Sequence, residues 1–525
     1  MNNRFYVKVL LSLVIFVVSI VVYYYPVYQK GYAPGADHQN LIMARNFAVA
    51  GTYKIENSTG VFLASKNAEQ FGVEKGIFNP LTTMIYGQLF KFFGFNENLP
   101  FYVAIILFSI FNVLVFILAT QLLGVIVGFL SGISVALMPV MTVGAIHGGF
   151  YEWAMLFFGI ALWLYLGSKH GSFRAGTARI LMASVFFSLA SLARNAFAIS
   201  FVPLFFYDFF IHRSYKRSLI FLLPFIVLFG STLTPYSWLG VPNNYYANIE
   251  QQSFDLVGHF FQDPYSYHYD KDNYTKEMFE KGLNRVGVLF ATQWGYEVSF
   301  FERVSAYWDS FSFYIGQIIS FTSMGGPFIL GLMLLGLTRL YGLNKKLLGL
   351  LTFWFFVWLG YLVYDKTGNW DHLMEVVFIF AILTGLGLHY LIEILSGEGI
   401  LKRIVSFVIV TTLFIGHLAY ANKWKLHDIY RSSKEEVVLS LRNKLNSQND
   451  VGGVYAIGIH PSSVYSLNYH IDHDMVYFDH KTIEKLIFQK RLKDAFTTYN
   501  ISFVAGYSKE LTDKIKSQVS VQSLP

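Results

Sequence analysis

The chain has 525 residues, of which 54% are hydrophobic and only 14% are charged, and it includes 52 Phe and 35 Tyr. Because soluble domains carry about 25% charged residues, this composition excludes a soluble globular protein and indicates a polytopic membrane protein. The sequence contains no cysteine, which excludes disulfides, thiolate nucleophiles and cysteine-ligated zinc.

Eleven apolar runs have the length expected of membrane-spanning helices, and together they predict an α-helical polytopic membrane domain. The first run is long enough to span the bilayer and lacks a small-residue cleavage site, so we interpret it as a retained helix rather than a signal peptide. The runs lie near residues 5–26, 101–120, 122–141, 150–168, 178–194, 196–211, 218–235, 313–338, 347–364, 371–395 and 404–421.

The net charge of +7 is explained by basic residues in the loops of the predicted topology. With the N-terminus in the cytoplasm, the basic clusters fall in cytoplasmic loops, as the positive-inside bias requires. We therefore predict a multi-pass inner-membrane protein with an extracytoplasmic C-terminal region, and no nucleic-acid partner is needed to explain the charge. The clusters are Lys169/Arg174/Arg179, Arg213/Lys216/Arg217, Arg339/Lys345/Lys346 and Lys402/Arg403.

The first extracytoplasmic loop, residues 27–100, carries two helix signals. One runs from Asp37, which can cap a helix, to Gly51, which can end it. The other begins with Asn79 and Pro80 and ends at Gly94. The apolar face of the second helix predicts that it lies in the membrane interface.

Two further extracytoplasmic parts follow. The loop 236–312 is too long to be a structureless connection, so we predict that it is functional or partly helical. The tail 422–525 alternates short apolar strands with helices, which predicts a small α/β domain with a mostly parallel sheet next to a membrane domain of residues 1–421. In this tail we predict helices at Ser433–Leu445, Ile483–Phe496 and Thr512–Ser517 and strands at Gly453–Ile459 and Ile501–Ala505.

A His/Asp-rich run between His460 and His480 interrupts the tail. Its spacing fits no closed zinc pattern, so we interpret it as a solvated loop rather than a metal site.

Ionisable residues that are hard to explain collect at the predicted outer membrane face. A charge inside a bilayer usually has a partner or a function, and Glu375 lies one turn into the tenth apolar run. Each residue also has a structural interpretation, as a helix cap, a solvated interface group or an arginine that reaches the lipid headgroups. The collected residues are Asp37, His38, Arg45, Glu152, Arg194, Asp365, Lys366, Asp371, His372 and Glu375.

Four short motifs resemble those of the GT-C superfamily of membrane glycosyltransferases, especially the protein O-mannosyltransferases and lipid A aminoarabinose transferases of the glycosyltransferase family 39 type. Asp37 through Ala44-Arg45-Asn46 to Gly51 is similar to the acid-led first-loop helix ending in "AR…G". Asn79-Pro80-Leu81 followed by Phe93-Gly94 resembles "PPL…G". Gly149 to Glu152 resembles the "G-x-E" start of a later helix, and Leu192-Ala193-Arg194 resembles the "LTR" turn.

The resemblance covers most of residues 1–420 and does not cover the tail. The chain has His38 where family members often have a second acid, and His372-Leu373 where many have Arg-Tyr. These departures leave open whether the protein uses a divalent cation and which residue binds the donor phosphate. No metal ligand and no cofactor is assigned.

The resemblance implies transfer of a sugar from a polyprenyl-phosphate donor in the bilayer to a glycan, lipid or protein acceptor, with inversion. Asp37 would be the general base, and His38, Arg45, Arg194 and His372 would bind the donor phosphate. Glu152 and Glu375 would bind substrate. The alternatives are a transporter or flippase of polyprenol-linked glycans, an envelope polymer ligase, and a scaffold that recruits envelope partners through the tail. A transporter would place its key polar groups near the bilayer midplane instead.

Overall fold

The structure is a computed structural model with side chains. The residues it describes are 2–30, 38–51, 61–63, 80–149, 151–167, 173–211, 213–230, 300–365, 370–396, 399–430, 440–441, 454–458, 467, 469, 475–478, 480–488, 490–498 and 500–523.

Within the described residues, seven helices are long and apolar enough to cross a membrane, and there are eight if a bent pair of helices is counted as one span. Two shorter apolar helical stretches lie at 152–166 and 195–210. The chain is therefore a multi-pass α-helical membrane protein, as the composition predicts. The membrane-domain helices are α1 (Asn2–Lys30), α4 (Leu99–Leu123), α5 (Val125–Leu137), α6 (Pro139–His147), α7 (Glu152–Gly167), α8 (Phe173–Ala193), α9 (Phe201–Phe206), α10 (Tyr215–Gly230), α11 (Phe300–Ile319), α12 (Gly326–Leu343), α13 (Lys345–Asp365), α14 (Val377–Ser396) and α15 (Ile400–Tyr430).

The predicted run 122–141 forms the bent pair, in which α5 and α6 meet at 55°. Met138 is extended between them, with φ −64° and ψ 128°. Pro139 then opens α6, because proline has no N–H to continue α5 but fits the first turn of a helix.

The predicted single span 313–338 is wrong. The α11 helix ends at Ile319 and α12 begins at Gly326. Gly325 immediately before α12 and Gly326 at its start adopt φ +99° and +81°, a left-handed conformation that glycine tolerates best. Apolar residues continue through this turn, so hydropathy alone does not reveal it.

The run 196–211 is irregular rather than one α-helix. It consists of a 3-10 turn at Asn195–Ser200, the short helix α9 and a π-helical turn at Tyr207–Ile211. The predicted break at Arg194 is confirmed, because α8 ends at Ala193 and Arg194 is extended.

Glycines let α12 and α14 touch through their backbones. A Cβ added at Gly387 would lie 1.9 Å from the Leu332 carbonyl oxygen, and one added at Gly336 would lie 2.0 Å from the Leu383 carbonyl oxygen. Small residues at such a crossing favour helix association in membranes because the two backbones can approach closely.

The contacts within the chain divide it into two compact units. The first, or membrane unit, comprises Met1–Tyr32, Leu99–Ser231 and Tyr307–Asp428, and the second comprises Ala33–Asn98, Thr232–Ala306 and Ile429–Pro525. The proposed domain boundary at residue 421 falls inside α15, so the contacts place the division a few residues later.

In the second unit, both first-loop helices are confirmed. Helix α2 (His38–Ala50) ends at Gly51, whose N–H donates to the Phe47 carbonyl over 2.9 Å. Helix α3 (Pro80–Phe93) ends at Gly94, with φ +82°. The α2 and α3 helices pack against each other, and Leu41 through Ala44 are fully buried.

A five-stranded sheet completes the described part of the second unit, and all of its pairings are parallel, as predicted. Its strands lie in the order β1-β3-β2-β4-β5. The first of them comes from the first loop rather than from the tail. The strands are β1 (Val61–Leu63), β2 (Val454–Ile457), β3 (Met475–Tyr477), β4 (Ile501–Ala505) and β5 (Gln522–Ser523).

Three helices of the tail share an apolar core with the sheet. The predicted helix Ile483–Phe496 is two helices, α16 (His480–Phe488) and α17 (Leu492–Thr498), because Lys490 between them takes φ +58°. The last helix, α18 (Lys509–Gln518), is longer than predicted. Of the predicted helix Ser433–Leu445, only residues 440–441 are described, and they are helical.

Candidate active site in the membrane unit

The membrane unit gathers predicted site residues at the ends of three helices. Glu152 is the first residue of α7, and Arg194 immediately follows the last residue of α8. Asp371, His372 and Glu375 share a 3-10 turn, Trp370–Glu375, that precedes α14. The apolar span therefore begins at Val377, after Glu375 rather than before it.

Arg194 forms an ion pair with Asp371 on the face of a tyrosine. One guanidinium N–H donates to Asp371 Oδ2 over 3.0 Å, and the guanidinium carbon lies 4.0 Å from the centre of the Tyr151 ring. The Tyr151 hydroxyl donates to the same Asp371 oxygen over 3.3 Å. The three side chains thus form a closed triangle that combines an ion pair with a cation–π contact.

His372 and Glu375 form the second part of the cluster. His372 Nδ1 lies 2.7 Å from Glu375 Oε1, and Glu375 is fully buried. The Trp358 indole N–H donates to the His372 carbonyl over 3.2 Å and so fixes the turn. Burial disfavours the imidazolium, but the Glu375 and Asp371 carboxylates outweigh this effect and raise the pKa of His372 above its ordinary value of 6.5.

Glu152 is fully buried, and its carboxylate accepts a hydrogen bond from the Gly149 amide over 2.9 Å. Gly148 and Gly149 both have positive φ, at +50° and +86°. Glu152 therefore ties down the turn immediately before Tyr151, whose ring lies against Arg194. In the sequence, the closeness of Glu152 to the Gly148-Gly149 pair is the feature that indicates a structural role for this acid.

The other predicted residues lie outside the membrane unit or outside the described residues. Arg45 belongs to the second unit, where it is buried and its guanidinium carbon lies 6.0 Å from the centre of the Phe95 ring. Asp37, the His38 side chain, Lys366 and most of the His/Asp-rich run fall outside the described residues. Their roles stay predictions.

Sequence reasoning missed Tyr151 as a partner of Arg194 and did not assign Asp371 to the site. Tyr151 lies beside Glu152 in the sequence, but nothing in the sequence relates it to Arg194, 43 positions later. Among the residues that the structure describes, no three His, Asp or Glu side chains converge as a metal site. We therefore assign no metal ligand within them.

No family model matches the sequence, and no curated protein matches it. Solved structures do match its fold. ArnT from Cupriavidus metallidurans bound to undecaprenyl phosphate aligns with a TM-score of 0.54 at 11% identity, covering 99% of this chain and 90% of that one. The archaeal oligosaccharyltransferase AglB from Archaeoglobus fulgidus, in complex with an inhibitory peptide and a dolichol-phosphate, aligns with a TM-score of 0.55 at 10% identity, covering 96% and 70%.

A second structure of the Archaeoglobus fulgidus enzyme, tethered to an acceptor peptide, gives a TM-score of 0.54 at 11% identity over 95% and 69% of the two chains. At such identities the likeness concerns the fold. The chain has the fold of the GT-C membrane glycosyltransferases, and the fold expected from the sequence motifs is confirmed.

Proposed function

We propose that the protein is a membrane glycosyltransferase that moves a sugar from a polyprenyl-phosphate donor to an acceptor at the extracytoplasmic face. The main observation behind the proposal is the buried cluster of Arg194 and His372 in a chain with the GT-C fold. Arg194 follows the end of α8, and His372 precedes the start of α14. Their cationic side chains are suited to binding phosphate oxygens. ArnT, which shares the fold, binds undecaprenyl phosphate, and AglB binds a dolichol-phosphate.

In the proposed reaction, Asp37 takes the proton of an acceptor hydroxyl, and the acceptor oxygen attacks the anomeric carbon of the sugar. The bond from that carbon to the phosphate oxygen breaks on the opposite face, so the anomeric configuration inverts. The lipid phosphate leaves with the bonding electrons, and Arg194 and His372 stabilise its charge. His38 and Arg45 of the first loop remain proposed phosphate ligands.

Glu152 and Glu375 remain proposed substrate-site residues, although both have structural partners. Glu375 holds His372, and Glu152 holds the turn before Tyr151. We propose an inner-membrane protein with a cytoplasmic N-terminus and an outer tail, and an acceptor that is an envelope glycan, lipid or protein. The 422–525 tail and the 236–312 loop would shape access of the acceptor.

The test begins with mass spectrometry of envelope glycans from a strain that lacks the protein, which names the sugar and the acceptor. Transfer is then measured with the purified protein and its Asp37→Asn variant. Asparagine is also a good helix N-cap, so the fold should survive, whereas loss of a general base lowers the rate about 10²–10⁴-fold.

Two variants serve as controls. Asp513→Asn makes the same change at an exposed position of α18 and should leave transfer unchanged. His38→Ala tests the residue that replaces the second acid. Near-normal turnover of Asp37→Asn would contradict the proposal, whereas a transporter working through midplane groups would catalyse no transfer in either protein.

A further inference from the structure

The carboxylate of Asp371 accepts a hydrogen bond from the Arg194 guanidinium, the group that the proposed function assigns to the donor phosphate. We infer that Asp371 is an internal competitor of the lipid phosphate: it neutralises Arg194 when no donor is bound and is displaced when the donor arrives. This inference rests on the proposed function, since it takes Arg194 as a phosphate ligand.

Asp371 is the partner that can leave. Its side chain is 16% exposed, whereas the Arg194 side chain is 4% exposed. The carboxylate therefore covers the guanidinium from the more accessible side. A ligand that reaches Arg194 from that side meets Asp371 first.

The contact made by Asp371 is also an incomplete one. Within the described part of the chain, only Oδ2 accepts hydrogen bonds, and it accepts from both Arg194 and Tyr151. The other oxygen, Oδ1, is buried and has no hydrogen-bond partner among the described residues. A two-point contact between arginine and a carboxylate is stronger than this one-point contact, and a phosphate offers several acceptor oxygens in place of one.

Arg194 has a second support besides Asp371. The Tyr151 ring supports the guanidinium from its face at 4.0 Å, and that contact survives when the carboxylate moves away. Two anions cannot share one edge of a guanidinium without repulsion, so a phosphate that binds the Arg194 N–H now held by Asp371 must replace that carboxylate.

The experiment measures the affinity of the purified, full-length protein for undecaprenyl phosphate in detergent micelles. Asp371→Asn keeps the shape of the side chain and removes its charge. We expect it to tighten binding about fivefold, which corresponds to an ion pair worth about 1 kcal/mol. Tyr151→Phe keeps the ring under Arg194 but removes the hydroxyl that helps to hold Asp371, so it should tighten binding by a smaller factor.

A matched control exists elsewhere in the membrane unit. Arg217 also pairs with an aspartate, Asp208, at 2.6 Å and lies 4.8 Å from the centre of the Tyr165 ring. Asp208→Asn makes the same chemical change in the same kind of assembly, next to the Arg213/Lys216/Arg217 cluster that is predicted to be cytoplasmic. It should leave the affinity for undecaprenyl phosphate unchanged, and an equal tightening there would overturn the inference.

The Arg194→Gln background separates this inference from the function on which it rests. Arg194→Gln should weaken binding, and adding Asp371→Asn to it should then give no tightening. If Arg194→Gln binds like wild type, Arg194 is no phosphate ligand, and the competitor role fails with that assignment. If Arg194→Gln weakens binding but Asp371→Asn also weakens it or leaves it unchanged, Asp371 is no competitor and the assignment of Arg194 stands. Equal tightening in both backgrounds would show repulsion that does not act through Arg194, which also overturns the inference.

Discussion

Glu152 offers a sharp test of whether the buried acids act on substrate or on the fold. Its carboxylate accepts a hydrogen bond from the Gly149 amide at 2.9 Å and is fully buried. A hydrogen bond to a charged group contributes about 1.5–3 kcal/mol, so Glu152→Ala should destabilise the protein by at least that amount, while Glu152→Gln should cost less than about 1 kcal/mol. The glutamine oxygen can still accept from Gly149.

The structural role also predicts the effect on ligand binding. Tyr151 precedes Glu152 and lies against Arg194, so loosening this turn should disturb the support of the guanidinium. Glu152→Ala should weaken binding of undecaprenyl phosphate, whereas Glu152→Gln should bind and transfer nearly as well as wild type. Thermal unfolding in detergent, ligand affinity and transfer rate are measured on the same three proteins.

The informative result is a split between stability and rate. If Glu152→Gln unfolds at the wild-type temperature but loses about 100-fold or more in transfer, a loss in the range expected for acid–base groups, the carboxylate acts on substrate. The interpretation of Glu152 as a structural acid would then be refuted. Its prediction from the sequence as a substrate-binding residue would gain support instead.

Three further predictions concern His372, the crossing of α12 and α14, and the membrane topology. The pKa of His372 is raised above 6.5, so its imidazolium contributes stability that is complete below about pH 6.5 and is lost as the pH rises through the folded-state pKa. His372→Asn should flatten this part of the curve of unfolding temperature against pH. An unchanged curve would contradict the pairing with Glu375. Gly387→Ala should separate α12 from α14 and lower the free energy of unfolding by about 1–3 kcal/mol or more. Gly331→Ala should leave it unchanged, because a Cβ there meets nothing within 4 Å. Equal unfolding temperatures for the two variants would argue against the close crossing. A reporter active only outside the cytoplasm should work when fused after Pro525 and fail when fused after Lys345, and the opposite pattern would reverse the proposed topology.

Sequence reasoning succeeded where local chemistry determines local structure. The ends of α2 and α3 were predicted from Gly51 and Gly94, and both glycines adopt the positive φ that ends a helix. The strand Ile501–Ala505 was predicted with its observed bounds. It lies between Asn500 and Gly506, both of which have positive φ, so the chain itself marks where the strand starts and stops.

The features that sequence reasoning missed depend on residues far apart in the chain. Val61 pairs with Met475 in the sheet, and strands of three residues carry too little periodicity to be recognised alone. Arg194 and Asp371 are 177 positions apart, and their pairing follows from how α8 and the turn before α14 pack. The predicted span 313–338 failed for another reason: a glycine turn can interrupt an apolar run without any change in hydropathy.

The two Arg–Asp–Tyr assemblies show why residue types alone do not define a site. In the Arg217 assembly the acid is the inner partner, since Asp208 is 1% exposed and Arg217 is 19% exposed. Arg217 is also held by a second acceptor, the Tyr165 carbonyl, at 3.0 Å. An anion that reached Arg217 from solvent would not displace Asp208, because that carboxylate lies on the buried side of the arginine. At Arg194 the order is reversed, with the arginine inside and the acid outside, so exchange of one anion for another exposes no new buried charge. The same three residue types therefore make a structural clamp in one place and a site suited to anion exchange in the other, and the difference lies in which partner solvent can reach.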